Sequence, residues 1–499
     1  MAQDDKREGR FRYNPRRMKR IVLSLLLLAA LAHAQTSQKA EPTTNANERG
    51  AARYLESIRK QPLLLYDFLH RMPKGGDLHN HVTGAVYAET YIQWAAGDGL
   101  CVRRTTLVLE KPPCDEAAGR PPAARALADP VLYREMVDAY SMRHFSGALP
   151  SGHDHFFDMF GKVSAVSHST HVADMIAETV SRAGQNNVQY MELMVDDLDQ
   201  GKGLALGANL GWDDRSESFE SFRQRIDQNG AAEIVASGRK YLDQLEAGMR
   251  KTLRCDASGP QRDPGCDVTV RYIFEVYRGL PKAMVFAQTQ IGFAMAAADP
   301  RIVSVNPVMP EDGYTEMHDF DLHMRMFQYF HQRYPQVKLT MHAGELSFGL
   351  VPPDGLRNHI RDTAQKAGAQ RIGHGVDVMW EDDPASLLRE LRDKKIAVEI
   401  CLTSNDMILG VRGPRHPLNI YLSHGVPVTI ATDDEGVARS TITNEYQRAV
   451  EEHGLTYPQL KQIAGNAIEY SFADDTTKQQ LRARLAKAWI DFEKDCCGK

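Results

Sequence analysis

The sequence predicts an α/β protein, a (β/α)₈ barrel of the TIM type with helical insertions over its C-terminal mouth. Two observations carry this. Short β-rich runs recur along the 499 residues, eight in all, and each ends in polar residues. Helical patterns separate most of them. Buried strands alternating with helices imply a parallel sheet, and eight such units imply closure into a barrel whose site lies at the strand C-termini.

In chain order, Arg16, Arg17, Lys19 and Arg20 precede the apolar run Ile21 to Ala32, and Ala32-His33-Ala34 follows before Gln35. This is the order of a secretory leader, and the run, about twelve residues, is shorter than the roughly 20 a membrane span requires. We expect a signal peptide over 1–34 with cleavage after Ala34, and Met18 as an alternative start, since residues 1–17 are long for the polar part of a leader. No Cys follows the run, so no lipid anchor and no stable membrane anchor is expected. Residues 35–50 are polar and read as a tether, and 51–495 as the barrel domain.

The eight runs are Gly76 to His81, Val188 to Val195, Val268 to Tyr277, Ile302 to Val308, Val337 to His342, Arg371 to His374, Ala397 to Leu402 and Val426 to Thr432. Residues 95–130 and 197–220 read as insertions. The stretch 131–186 has helical periodicity and is expected to pack over the mouth as a partial lid. The last helical stretch, Tyr457 to Lys494, should close the outer ring of helices.

Composition narrows the function. Apolar residues at 42% and charged residues at 25% suit a globular chain with a large core. A formal net charge of −5 gives no basic field for a polyanion, so no nucleic-acid polymer is expected as a partner and a small molecule fits better. Of the seven cysteines, Cys101 with Cys114 and Cys255 with Cys266 lie in Gly/Pro-rich stretches where each pair can close a short disulfide loop in an oxidising compartment. No C-x-x-C occurs, which argues against a thiolate zinc site.

The polar ends of the runs hold an unusual set: His79 and His81 on the first, His342 with Glu345 after the fifth, His374 after the sixth, and Asp433-Asp434 after the eighth. Residues two apart on a strand share a face, so His79 and His81 can both project inward and share a metal. Three imidazoles (His79, His81, His342) and the Asp433 carboxylate form a nitrogen/oxygen set suited to one Zn²⁺ per chain, with room for water. Zinc lowers the pKa of its water to about 7. His374 and Asp433 would then accept or orient the water's proton, Glu345 would protonate a ring nitrogen beside the attacked carbon, and Asp434 would fix a second ring nitrogen. The sum is hydrolytic deamination. Glu192, on the second run, reads equally as an inward contact or a satisfied barrel residue, and Trp212 as packing within an insertion.

These segments resemble adenosine deaminases and their secreted growth-factor-like relatives, within the metal-dependent amidohydrolases. Pro73 to Gly84 (PKGGDLHNHVTG) is similar to the family's first-strand motif, whose two histidines bind zinc. Met341 to Glu345 matches the metal histidine and catalytic glutamate, Arg371 to Gly375 the catalytic histidine segment, and Cys401 to Asn405 the end of the seventh strand. Thr432-Asp433-Asp434 matches the metal aspartate and the purine-contacting aspartate. The resemblance spans about 70–475 and implies catalytic Glu345, His374 and Asp433, with substrate contacts at Thr83, Gly84, Met309 and Asp434. Three departures bear on specificity. Thr83 stands where typical members carry a ribose-contacting aspartate, Met309 where they carry a glycine whose backbone approaches the purine, and Glu435 where a proline is common. The substrate expected is therefore a 6-aminopurine nucleoside, adenosine or deoxyadenosine. The alternatives are an amidohydrolase-type zinc hydrolase for another amine or amide, and a non-catalytic purine-binding protein.

Overall fold

The computed structural model describes residues 46–145, 151–167, 170–195, 198 and 200–496. The expected leader lies outside these residues. Two compact units are separated at Gly50/Ala51. The helix Ala46–Ile58 crosses that boundary, so helix begins inside the stretch expected to be a tether.

Eight parallel strands make the barrel: β1 (Gly75–His81), β2 (Val188–Val195), β3 (Thr269–Tyr277), β4 (Ile302–Val308), β5 (Lys338–Ala343), β6 (Arg371–His374), β7 (Ala397–Ile400) and β8 (Val428–Ile430). Each neighbours the next in chain order, as consecutive βα units require. Strand β2 is buried along its whole length (VQYMELMV), the near-continuous apolar pattern of a strand covered on both faces. The sequence expectation matched β2, β4 and β6 end to end and ran two residues long at each end of β8. There the backbone leaves the ladder early to deliver Asp433.

That departure closes the barrel. Asn80 of β1 and Asp433 form an isolated parallel bridge. The Asp433 N–H donates to the His79 carbonyl at 2.9 Å, and the His81 N–H donates to the Asp433 carbonyl at 3.2 Å. The seam of the barrel is thus the place where three of the expected site residues meet. Beneath it, Arg371 is wholly buried. Its guanidinium reaches Glu192 at 2.5 Å, pairs with Glu399, and lies 3.9 Å from the centre of the Phe472 ring. Glu192 also accepts from Tyr190 and from the Phe472 N–H, so it is a satisfied barrel residue. A buried charge removed from such a network leaves its partners uncompensated, which fixes the side chains below the site.

Both insertions carry secondary structure of their own. Within 95–130, a two-stranded hairpin pairs Cys101–Val102 with Leu109–Glu110, and the Cys101–Cys114 disulfide ties it. The Cys255–Cys266 disulfide closes the second loop. Trp212 packs on Phe222, Phe286 and Phe219. The stretch expected as a lid forms helices Pro130–Ala139, Gly152–Ser167 and Val172–Gln185. The C-terminal helical stretch is two helices, Tyr457–Glu469 and Asp475–Asp495. Asp474 caps the second by accepting the Thr477 N–H.

Candidate functional site

The C-terminal ends of β1, β5, β6 and β8 carry His79, His81, His342, His374 and Asp433 into one cluster, buried except for the partly exposed His81. The ligand atoms of His79, His342, His374 and Asp433 lie within 4.8 Å of one another. His81 Nε2 lies 3.2 Å from His342 Nε2 and 3.4 Å from Asp433 Oδ1. The expected ligand set of His79, His81, His342 and Asp433 therefore differs by one member from this tight group, because the β6 strand end brings His374 as near as any ligand.

Three of the rings are held from behind. His79 Nδ1 faces Glu399 Oε2 at 2.6 Å, His81 Nδ1 faces Glu275 Oε1 at 2.8 Å, and His342 Nδ1 faces Asn306 Oδ1 at 2.9 Å. An oxygen at Nδ1 places the ring proton there and leaves the Nε2 lone pair for a metal. The buried atoms without a hydrogen-bond partner include His79 Nε2, Asp433 Oδ1, Glu345 Oε1 and Asp434 Oδ1. Polar atoms buried in this way are costly unless they meet a ligand, an ion or water, so the donor set and its orphaned atoms fit a divalent metal.

The electrostatics divide the carboxylates. Burial, then the charges of Asp433 and Glu311, holds the Glu345 carboxyl well above the usual range, which favours its protonated form. Burial and the neighbouring Asp433 do the same to Asp434. Burial also opposes charge on Asp433, but the surrounding imidazoles outweigh it and hold this carboxyl ionised. Burial brings the His374 imidazole down to about 3, a neutral ring.

Local backbone explains why particular residues stand here. His374 (φ 68°) and Asp433 (φ 57°) occupy the left-handed region at their strand ends, strain of a kind that persists where surrounding structure over-determines it. A Cβ on Gly373 would stand 2.8 Å from His79 Cε1, so the residue before His374 must be small for the His79 ring to fit. A Cβ on Gly84 would stand 1.5 Å from Asp434 Oδ1. Gly84 is therefore a spacer for the Asp434 carboxyl. Glu345 lies in the loop after β5, three residues beyond His342.

A cavity of about 520 Å³ opens on this cluster. Its polar end is His81, Glu275, His342, Glu345, Asp433 and Asp434, and its apolar walls include Phe157, Phe160, Met194, Leu280, Met309 and Ile408. Phe157 and Phe160 come from the helix Gly152–Ser167, which places the expected lid on the cavity. Thr83 lines it from the short helix Val82–Ala85, and Met309 lines it with φ 89°.

The family model described as adenosine deaminase matches residues 239–488, half of the chain. The chain belongs to the adenosine deaminase family. The adenosine deaminase of Salmonella typhimurium strain LT2 is 36% identical over 151 residues, which is 30% of this chain and 42% of that protein. The chain thus spans about two fifths of the length of the curated relatives it matches. Two solved structures share the fold. The N6-methyl-AMP deaminase of Arabidopsis thaliana has a TM-score of 0.57 at 20% identity, covering 85% of this chain and 99% of that one. An amidohydrolase of Burkholderia ambifaria with bound Zn has a TM-score of 0.51 at 17% identity, covering 92% and 97%.

Within the adenosine deaminase family frame, sequence reasoning missed the residues that act one step back: Glu275, Glu399 and Asn306 behind the histidines, and Glu311 beneath Glu345. A signal existed. Glu275 and Glu399 are lone carboxylates in otherwise apolar strand segments (IFEVY and AVEI), and a buried charge there requires a partner. Glu435, the departure from proline, ion-pairs with Arg182 at 2.8 Å and so ties the residue after Asp434 to the helix Val172–Gln185.

Proposed function

We propose that this protein is a zinc-dependent aminohydrolase that converts a 6-aminopurine nucleoside, adenosine or 2′-deoxyadenosine, and water to the 6-oxo nucleoside and ammonia. The observation that carries the reading is the convergence, at and just beneath the polar end of one cavity, of His79, His81, His342 and Asp433 with the buried carboxyls of Glu345 and Asp434.

His79, His81, His342 and Asp433 would hold the ion, and a zinc ion in such a set supplies a Lewis acid that makes water nucleophilic near neutral pH. The bound Zn of the Burkholderia amidohydrolase favours that choice of metal. Glu345 is placed to pass its proton to a ring nitrogen as the adjacent carbon is attacked. Asp434 presents a second proton-bearing oxygen for another ring nitrogen, which orients the base. His374 and Asp433 orient the attacking water by hydrogen bonding. The apolar walls sandwich the planar base and exclude water from the other side.

Among the described residues lining the cavity there is no Lys or Arg. A phosphate would therefore meet no cation there, which favours a free nucleoside over a nucleotide, unlike the N6-methyl-AMP named for the Arabidopsis protein. The leader-like N-terminus and the two disulfides support export to a periplasmic or extracellular site of action.

The test is ultraviolet absorbance and ammonia release by purified protein offered adenosine, 2′-deoxyadenosine, adenine and AMP in parallel. Turnover of the nucleosides is the expected result. Inactivity on all four with zinc demonstrably bound would refute the reading.

A further inference from the structure

His374 differs from the other three imidazoles of the cluster. Its Nδ1 faces an amide nitrogen, Asn405 Nδ2, at 3.0 Å. Distance alone would allow that amide to be turned either way, and its other end decides. Asn405 Oδ1 lies 3.1 Å from His416 Nε2, and His416 Nδ1 accepts the backbone N–H of Leu418 at 3.2 Å. A backbone N–H can only donate, so His416 Nδ1 carries no proton and the neutral His416 ring carries its proton on Nε2. That proton goes to Asn405 Oδ1, and the Asn405 NH₂ group then donates to His374 Nδ1. His416 is 3% exposed, and Asn405 and His374 are fully buried, so no bulk water competes for these bonds. Glu345 Oε1, 3.5 Å from His374 Nδ1, makes no hydrogen bond to it.

We propose that Asn405 and His416 are positioning residues that lock His374 in the tautomer with its proton on Nε2, making it a hydrogen-bond donor into the site. The relay starts from a backbone group that cannot reverse and ends on the ring whose Nε2 is buried without a partner. It also separates His374 from the ligands. His79, His81 and His342 offer lone pairs at Nε2, whereas His374 offers a proton, so it adds nothing to the metal set although it lies as close. Only the catalytic consequence of this tautomer rests on the deaminase reading.

The test begins with neutron diffraction from deuterium-exchanged crystals of the zinc-loaded protein. Deuterium on Nε2 of both His374 and His416, with none on either Nδ1, is expected; deuterium on His374 Nδ1 overturns the proposal. This readout needs no turnover, so inactivity on purines would refute the function and leave the tautomer to be read independently. In kinetics, Asn405→Asp replaces the donor to Nδ1 by an acceptor, and kcat should fall about 10²-fold while KM moves less than about threefold and metal content is kept. His416→Gln, which still offers an N–H to Asn405, should retain kcat to within about tenfold, and His416→Glu, which can only accept, should fall as Asn405→Asp does. Equal rates for the Gln and Glu variants, or wild-type kcat in Asn405→Asp, would overturn the relay.

Discussion

The carboxylate of Glu311 accepts the backbone N–H of Glu345 at 2.8 Å and that of Gly344 at 3.1 Å. The loop carrying the proposed acid is thus pinned through its main chain by a second, ionised carboxylate. Burial opposes that ionisation, but His359 and the Arg278 charge outweigh it. His359 Nδ1 contacts Glu311 Oε1 at 2.6 Å and its ring stacks on Phe320 at 3.9 Å. Arg278 donates to the Met309 and His342 carbonyls, so one guanidinium spans the β4 and β5 strand ends. Glu311→Ala should free both N–H groups and leave His359 unpaired, lowering kcat by about tenfold or more and stability by about 3 kcal/mol. Steady-state kinetics and chemical denaturation measure the two effects; an unchanged kcat would show that the loop holds itself.

Glu345→Gln keeps the shape of the acid and removes its proton. Metal content should stay near one ion per chain while turnover falls by about 10² to 10⁴. For the same reason kcat of the wild type should decline on the alkaline side, because a carboxyl whose pKa is raised by burial works only below that pKa. A Gln variant with wild-type turnover would remove Glu345 from the role of acid.

In the metal-free protein burial disfavours charge on His79 and His81, yet the nearby carboxylates outweigh it. Asp433 and Glu399 push His79 up to about 10. Glu275, against its Nδ1, and Asp433 push His81 up to about 9. Both rings thus hold an extra proton near neutrality, and a metal must displace it. Zinc binding should therefore release protons, and its affinity should weaken as pH falls. Titration calorimetry in buffers of different ionisation enthalpy checks this; equal heats in all buffers would contradict it.

Gly84→Ala places a methyl where Asp434 Oδ1 now stands. The carboxyl must move, so kcat/KM should fall about as far as in Asp434→Ala, while metal content and folding stay near wild type. A Gly84→Ala enzyme with full kcat/KM would mean that Asp434 does not orient the base from its present place.

Met309, at φ 89°, is strained as any non-glycine residue is in that region. Met309→Gly should relieve about 1 kcal/mol of strain and remove a side chain from the cavity wall. The melting temperature should hold or rise, and larger N6-substituents should become better substrates relative to adenosine. Unchanged relative rates would show that Met309 does not limit the pocket.

Much of this protein was legible from its residues alone. The eight strands were readable because a strand buried on both faces is a short apolar run with a sharp polar end, and the ends of β1, β5, β6 and β8 deliver the site. His79 and His81 could be paired by the two-residue period of a strand, a local rule that needs no tertiary knowledge. Other features depend on groups remote in sequence. Glu399 lies 320 residues from the His79 it orients, and whether Glu192 was a contact or a filler turned on Arg371, 179 residues away. Glycine at 84 is required only because Asp434 arrives beside it when the barrel closes at Asn80 and Asp433. Which groups can bind a metal and move a proton could be read from the residues, since that chemistry belongs to the side chains. Which nitrogen of each ring faces the site emerges only on folding, because a tautomer is set by the partner on the ring's far side, and barrel closure supplies that partner.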